Sequence, residues 1–463
     1  MKTTTNTKLQ LVKDVQRDFE ARRLARKSYE LQWQLNIDFL QGRQNNQISN
    51  LGAVVPTGRQ YYWQRNEVYN HLGTVVESRL AKLVSDREQI YVIPLTPTEK
   101  DKKCASLCEK IVKSAFKKSD IRALADTANA WSEMTGTAFY KVTWNQNGGK
   151  NVGEINGTPV FEGDISISVA SPFEIYPDTL TASNINDCSI IHARPYSVDA
   201  VKKIWGESVA GANIEIHDFN RTGVHGFATI SDAVMVIERY RDGELTIVAG
   251  DKLLYSGRYE TMPFIRQTSE ALPGSFFGRS VIERAIPVQR AYNAVKNRKT
   301  EFMNRMACGV LAVEDGSVDL EALENDGLAP GTIVTYTKGA TPPKFLDAGV
   351  IPTELAREEE RLLTELATIT GGSDIARGDF SAVSGVALEI MVNQDKLRIQ
   401  RAISSAQNAR VAVAQRVLQL YKKHATAGRL DRLAMGKVVE IFSWTADDIT
   451  SDEVISAPVS EAI

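Results

Sequence analysis

Residues 287–306 read PVQRAYNAVKNRKTEFMNRM and residues 353–370 read TELAREEERLLTELATIT. Both are helical in pattern. Proline is best tolerated in a first helical turn, so the first segment predicts a helix from Pro287 to Met306, with Val281 onward forming at most an earlier turn. The second starts after Pro352, carries Leu355, Leu362, Leu366 and Ile369 on one face, and stops at Gly371-Gly372. Between them, 309–350 predicts a small β unit with strands at Val310-Leu311-Ala312-Val313 and Thr332-Ile333-Val334-Thr335-Tyr336. Beyond them come a Gly/Ser/Asp loop and a last helix over 386–425, broken by Gly428. At 1.5 Å per residue that helix spans about 60 Å, longer than a small domain is wide. It needs support along its length from the rest of the chain or from other subunits. Rod, small sheet, rod, loop and long rod are the order that decides the fold.

Working toward the N-terminus, the period changes. The Asp242-Gly243 and Gly250-Asp251 dipeptides favour hairpin turns in a strand meander over Val234–Tyr259. Before it lie a loop over 206–231, a short helix near Val198–Trp205, and an extended piece, Phe173-Glu174-Ile175-Tyr176, bracketed by Pro172 and Pro177. Asp164–Ala170 alternates as a strand, 145–163 reads as turns, and Thr137–Trp144 reads as a strand. Residues 66–90 and 98–134 read as helices, as do residues 8–40 up to Gly42. The fold class is α+β.

The chain of 463 residues suggests two to four structural units. Its net charge of −2 lacks the basic excess of a sequence-specific DNA-binding domain, so any DNA contact must be local or weak. The polar start, Met1–Leu11, holds no apolar signal core, and no run approaches a membrane span. These features predict a soluble, cytoplasmically made protein. Cys104 and Cys108 share a helix face with no second ligand pair at zinc spacing, so they read as plain thiols. His217 and His225 are eight apart in a loop and read as a surface pair rather than a metal site.

Catalytic motifs are lacking. Gly149-Lys150 and Gly436-Lys437 have neither the spaced glycine nor the Ser/Thr of a phosphate-binding loop, and there is no G-x-S-x-G or H-E-x-x-H. No cofactor or metal is expected. Arg17, Arg22, Arg23, Arg26 and Lys27 give the first helix a basic face, mixed with Asp14, Asp18 and Glu20. It reads as a solvated face, with a membrane surface as the alternative. The tail after Lys437 has a strand over Val438–Trp444, then five acids, and reads as a solvated terminus.

One stretch is locally basic. Arg279, Arg284, Arg290, Lys296, Arg298, Lys299 and Arg305 face only Glu283 and Glu301 within it. These cations would either touch phosphates without reading bases or pair with the acids of the partner helix, Glu354, Glu358, Glu359, Glu360 and Glu365. The 371–385 loop, with Arg377 and Asp379 near its tip, either projects toward a ligand or is a surface connection.

Several segments together resemble the portal proteins of tailed phages, particularly the short-tailed type. They are Phe39-Leu40-Gln41-Gly42-Arg43-Gln44; Trp131 with Thr135-Gly136-Thr137-Ala138-Phe139-Tyr140 and Trp144; Ser171 through Asp178; Phe277-Gly278-Arg279-Ser280 with Pro287-Val288-Gln289-Arg290-Ala291-Tyr292-Asn293; and the order of blocks after Gly278. The resemblance implies a portal-like architecture: a mixed α/β wing over 1–277, stem helix one over 278–307, a β clip over 308–351, stem helix two over 352–370, a tunnel loop over 371–385, a long wing and crown helix over 386–428, and a C-terminal strand with an acidic tail over 429–463. The crown would be short.

It further implies a homo-oligomeric ring of twelve subunits at one capsid vertex. Double-stranded DNA would pass through non-specifically, during both packaging and ejection. The partners would be the terminase packaging motor, a tail adaptor, and the major capsid and scaffolding proteins, with no membrane. Near-neutral charge suits such a channel, because each added phosphate contact would hold the duplex back. The competing readings are another virion component such as a tail adaptor, a multidomain hydrolase, and a membrane-surface protein.

Overall fold

The structure is a computed structural model that describes residues 2–58, 61, 64–85, 88–155, 158–217, 227–308, 310–321, 333–346, 352–371, 385–425, 428–435 and 438–458. Among these are eight α-helices: α1 Lys2–Leu40, α2 His71–Ser85, α3 Glu99–Lys118, α4 Ile121–Thr135, α5 Val198–Trp205, α6 Val281–Cys308, α7 Thr353–Thr370 and α8 Gly385–His424. The expected α+β class holds.

The largest sheet runs Lys252–Arg258, Glu244–Ala249, Phe227–Arg241, Ile190–Ser197, Ile175–Pro177, all antiparallel, with Ala212–His217 also paired to Phe227–Arg241. A second sheet places Thr137–Asn145 between Phe264–Thr268 and Asp164–Ala170. The long α8 lies against this second sheet. Its Val413, Val417, Leu418 and Tyr421 are buried with Ile111, Tyr140 and Trp444, and its Ile399, Ala402 and Ile403 pack with Leu83. The lateral support that α8 needs therefore comes largely from its own chain. Each such buried side chain contributes about 1.5–3 kcal/mol.

Helix α1 crosses the other sheet. Val12, Val15 and Phe19 pack on Tyr176, Ile191, Ala193, Ile237 and Val248. Two arginines assigned to its solvated face are buried instead. Arg26 is 1% exposed, lies 3.8 Å from the Tyr176 ring, and donates to the carbonyls of Pro172, Ile175 and Phe173 at 2.7, 2.7 and 3.0 Å. Arg22 makes a two-pronged contact with Asp18 and also donates to the carbonyls of Tyr176 and Ser189. The turn at 172–174 leaves carbonyls pointing at α1, and a planar guanidinium can satisfy several at once.

Other expectations are corrected. α6 begins at Val281 and runs through Pro287. Proline removes one helical hydrogen bond, but Pro287 faces solvent while Ile282, Ala285, Ile286 and Val288 on both sides are buried in one cluster. Residues 66–90 are not a single helix: Glu88–Val92 is a strand paired with Val454–Pro458. Residues 98–134 split into α3 and α4 at Asp120, which has φ 46°. The turn-rich 145–163 contains a hairpin, Asn151–Ile155 with Thr158–Phe161. The 206–231 loop contains the strand Ala212–His217 and the start of Phe227–Arg241. In the β unit, Val310–Ala312 pairs with Lys344–Leu346, and the described residues 333–336 form no strand. The tail is no solvated terminus, since Ile449 and Val454 are buried in the main core. A strand absent from the sequence reading, Arg429–Met435, pairs with Val438–Trp444.

Gly136 and Gly278 hold the end of α4 against the chain just before α6. Each lies against the other's backbone, so a Cβ on either would collide with the partner carbonyl. Gly136 has φ +88° and caps α4. The Gly278 N–H donates to Thr137 Oγ1 at 2.8 Å, which fixes the chain just before α6.

Candidate nucleic-acid interface

α6 leads into the short hairpin, and α7 returns alongside it. Leu362 and Leu366 of α7 are buried with Ile282, Ala285, Ile286, Val288 and Tyr292 of α6, together with Leu35 and Phe39 of α1 and Leu72 and Val76 of α2. The two rods are thus rooted in the body at one end, while the hairpin joins them at the other.

Across the rods, the Lys296 Nζ lies 2.5 Å from Glu359 Oε1 and the Lys299 Nζ lies 2.8 Å from Oε2. Tyr292 OH donates to the same carboxylate at 3.5 Å. Burial alone would raise the Glu359 carboxyl, but the two ammonium groups hold it below the usual carboxylate range. The hydrogen bond to Glu359 holds Lys296 above the usual lysine range.

The other predicted cations divide into two groups. Arg279 and Arg284 both pair with Glu270. Arg290 donates to the Asn46 carbonyl at 2.7 Å and lies over the Phe39 ring, and burial pushes its pKa down. Arg298 and Arg305 are exposed and have no hydrogen bond or ion pair among the described residues. Seven residues apart on a helix, they share a face.

Of the predicted acids, Glu359 alone bridges the two helices. Glu358 binds Arg361 on its own helix and Glu354 accepts from Thr353. Glu360 and Glu365 face solvent. Within the basic stretch, Glu283 accepts from Asn36 and from the Ser280 N–H, while burial raises its carboxyl. Arg377 and Asp379 lie outside the described residues, as does His225. His217 sits 2.8 Å from Glu30, which belongs to an ion pair with Arg26.

Sequence reasoning missed the anchor of this unit. Glu133 is fully buried at the end of α4. Arg79 of α2 binds it at 2.6 Å and donates to the Thr370 carbonyl at the end of α7 at 3.2 Å. Ser269 Oγ donates to Glu133 at 2.7 Å. One buried ion pair thus ties the end of α7 to the body. The available signal was Glu133 as the lone charge in the run 128–140. Burying such an acid demands a cation.

Among the described residues, no group of His, Cys, Asp and Glu could hold a metal ion, and no helix is long and apolar enough to cross a membrane. The arrangement offers paired rods whose cations are only partly offset by carboxylates, with no convergent acid, base or nucleophile among their described residues. A comparison with curated proteins found no match. Residues 241–444, which run from the end of the Phe227–Arg241 strand through α6, the hairpin, α7 and α8 to Trp444, match the family described as Phage P22-like portal protein. This match bears out the resemblance drawn from the sequence: over those residues the chain is similar to phage portal proteins of the short-tailed P22 type.

Proposed function

We propose that the chain is one subunit of a ring of twelve at a single capsid vertex, a channel through which double-stranded DNA is packaged and later ejected. The observation that carries this reading is the portal-family match over the rod, hairpin, rod and long-helix segment. In this reading 1–277 and α8 form the wing, α6 and α7 the stem, and the hairpin unit over 308–351 the clip. The clip docks the terminase motor during packaging and the tail adaptor afterward. Capsid and scaffolding proteins contact the wing.

The role is structural, as the portal family itself indicates. Glu359 between Lys296 and Lys299, and Glu270 between Arg279 and Arg284, each cancel one of two positive charges, and this partial offset suits a surface past which a polyanion must slide. Arg298 and Arg305, exposed on α6, are left as direct phosphate contacts, and the 371–385 loop, with Arg377 and Asp379 near its tip, projects toward the DNA. Electron microscopy of the purified chain, with its mass measured in solution, tests the reading. A closed ring with a central hole supports it. A monomer with a deep enclosed pocket would point to the hydrolase alternative instead.

A further inference from the structure

The α6–α7 pair has two unlike flanks. On α6, the face that meets α7 carries Tyr292, Lys296 and Lys299. The opposite face lines a cleft of about 310 Å³ between α6 and the 44–66 segment. Its described walls include Arg290 and Arg298 from α6, Arg65 from across the cleft with its guanidinium 3.0 Å from Glu67, and the side-chain amides of Asn45 and Asn297; Glu301 is the one acid among its described lining residues. Glu301 is occupied, because it accepts from the Arg65 backbone N–H at 2.7 Å. The cleft is therefore a polar, cationic recess.

On α7, the face turned away from α6 carries Glu354, Glu360 and Glu365 in the open. Arg357 and Arg361 lie on the same side, but Arg361 is tied to Glu358. The ridge keeps an acidic excess.

We infer that the outer ridge of α7 in one copy seats in the α6 cleft of the next copy, with Glu360 and Glu365 approaching Arg298 and Arg290. The inference rests on the ring reading and specifies which faces meet. Charge complementarity selects the partner, since the cleft leaves Arg298 unpaired among the described residues, with Glu301 as the one acid of its described lining, where the ridge supplies carboxylates in excess. The placement selects the symmetry. The two patches differ and lie on opposite flanks of one two-helix unit, so copies join head to tail, and such contacts build rings when the rotation closes, or open filaments, rather than twofold dimers. Arg298 is thereby taken out of the channel, while Arg305, about 10 Å farther along the same face and outside the cleft lining, stays exposed. Carboxylate–arginine pairs also fix orientation, because a guanidinium binds carboxylate with two parallel hydrogen bonds.

Charge reversal tests this by native mass spectrometry and electron microscopy of the full chain. Arg298→Glu alone, and Glu360→Arg with Glu365→Arg, should each weaken ring assembly by about tenfold or more. The three changes together restore opposite charges across the contact and should recover most of the assembly. All three residues are exposed, so far-UV circular dichroism should match the wild type in every variant. If both single-flank variants assemble as the wild type does, or if both fail and the triple variant fails with them, the contact is wrong while the ring stands. A wild-type chain that stays monomeric under the same conditions removes the ring itself, and this contact with it.

Discussion

α1 and α6 are both long helices dense in Arg and Lys, yet they use charge in opposite ways. In α1, Arg22 and Arg26 are turned inward and bind backbone carbonyls of the 172–177 and 189 segments. In α6, Arg290 donates to the Asn46 carbonyl, but the other cations stay at the surface and meet the carboxylates of Glu270 and Glu359, or no partner among the described residues. The difference lies in the acceptor. A carbonyl buried beneath a helix has no water to bond and must be given a donor. A surface carboxylate is already hydrated and gains little from a partner. Counting basic residues therefore does not locate a nucleic-acid surface; their acceptors must be known.

The comparison breaks first at Arg26. Arg26→Ala removes the side-chain donor from three carbonyls, of which Pro172 keeps the Ile175 N–H, and empties the space over Tyr176. The expected loss is about 3–5 kcal/mol, read as a lower urea midpoint. Arg26→Lys should recover little of it, because one ammonium cannot serve three separated carbonyls in a plane. A loss below about 1 kcal/mol for either would mean that the carbonyls find other donors and that α1 resembles α6 after all.

A smaller effect is expected at Glu359. Glu359→Gln leaves Lys296 and Lys299 facing each other without a counter-charge. Both lysines are partly exposed, so the cost should be about 1 kcal/mol. Its pH dependence has a definite sign. A carboxyl held below its unfolded value contributes stability that is present above that value, about 4.3, and lost as pH falls through the lower folded value. Lys296, raised when folded, contributes stability that is full below the ordinary lysine range and lost as pH rises through its raised value. The gap between wild type and Glu359→Gln should thus be widest near neutrality and close in acid and in strong alkali. A gap independent of pH would assign the loss to packing rather than charge.

Local signals were legible where local chemistry sets the boundary. α7 ends as expected because Gly371 adopts φ 74°, and α5 ends at Gly206, with φ 75°, after a Ser197 cap that accepts from Ala200 N–H. The Asp242-Gly243 and Gly250-Asp251 turns hold for the same reason. Elements stabilised from afar were not legible. Glu88–Val92 is a strand because Val454–Pro458, at the other end of the sequence, supplies its hydrogen bonds. Nothing within five residues of it could show that. The burial of Arg26 depends likewise on carbonyls some 146–149 residues away. At the candidate interface, the acid–base match of the two rods could be read from composition. The choice of Glu359 over its four neighbours could not, because it depends on which face of α7 meets α6.

The smallest expected effect is the most informative about function. Arg305 is exposed and makes no hydrogen bond or ion pair among the described residues, so Arg305→Ala should change the stability of the chain by less than about 0.5 kcal/mol. If it touches passing phosphates, its removal should instead lower the salt sensitivity of DNA binding by assembled rings. One phosphate contact fewer per copy reduces the slope of log affinity against log salt by about 0.9 for each contact engaged at a time. Lys296→Ala, which removes a cation already held by Glu359, should leave that slope nearly unchanged. Should the two variants shift the slope equally, pairing with a carboxylate does not silence a channel cation, and the contrast between the two kinds of α6 residue collapses.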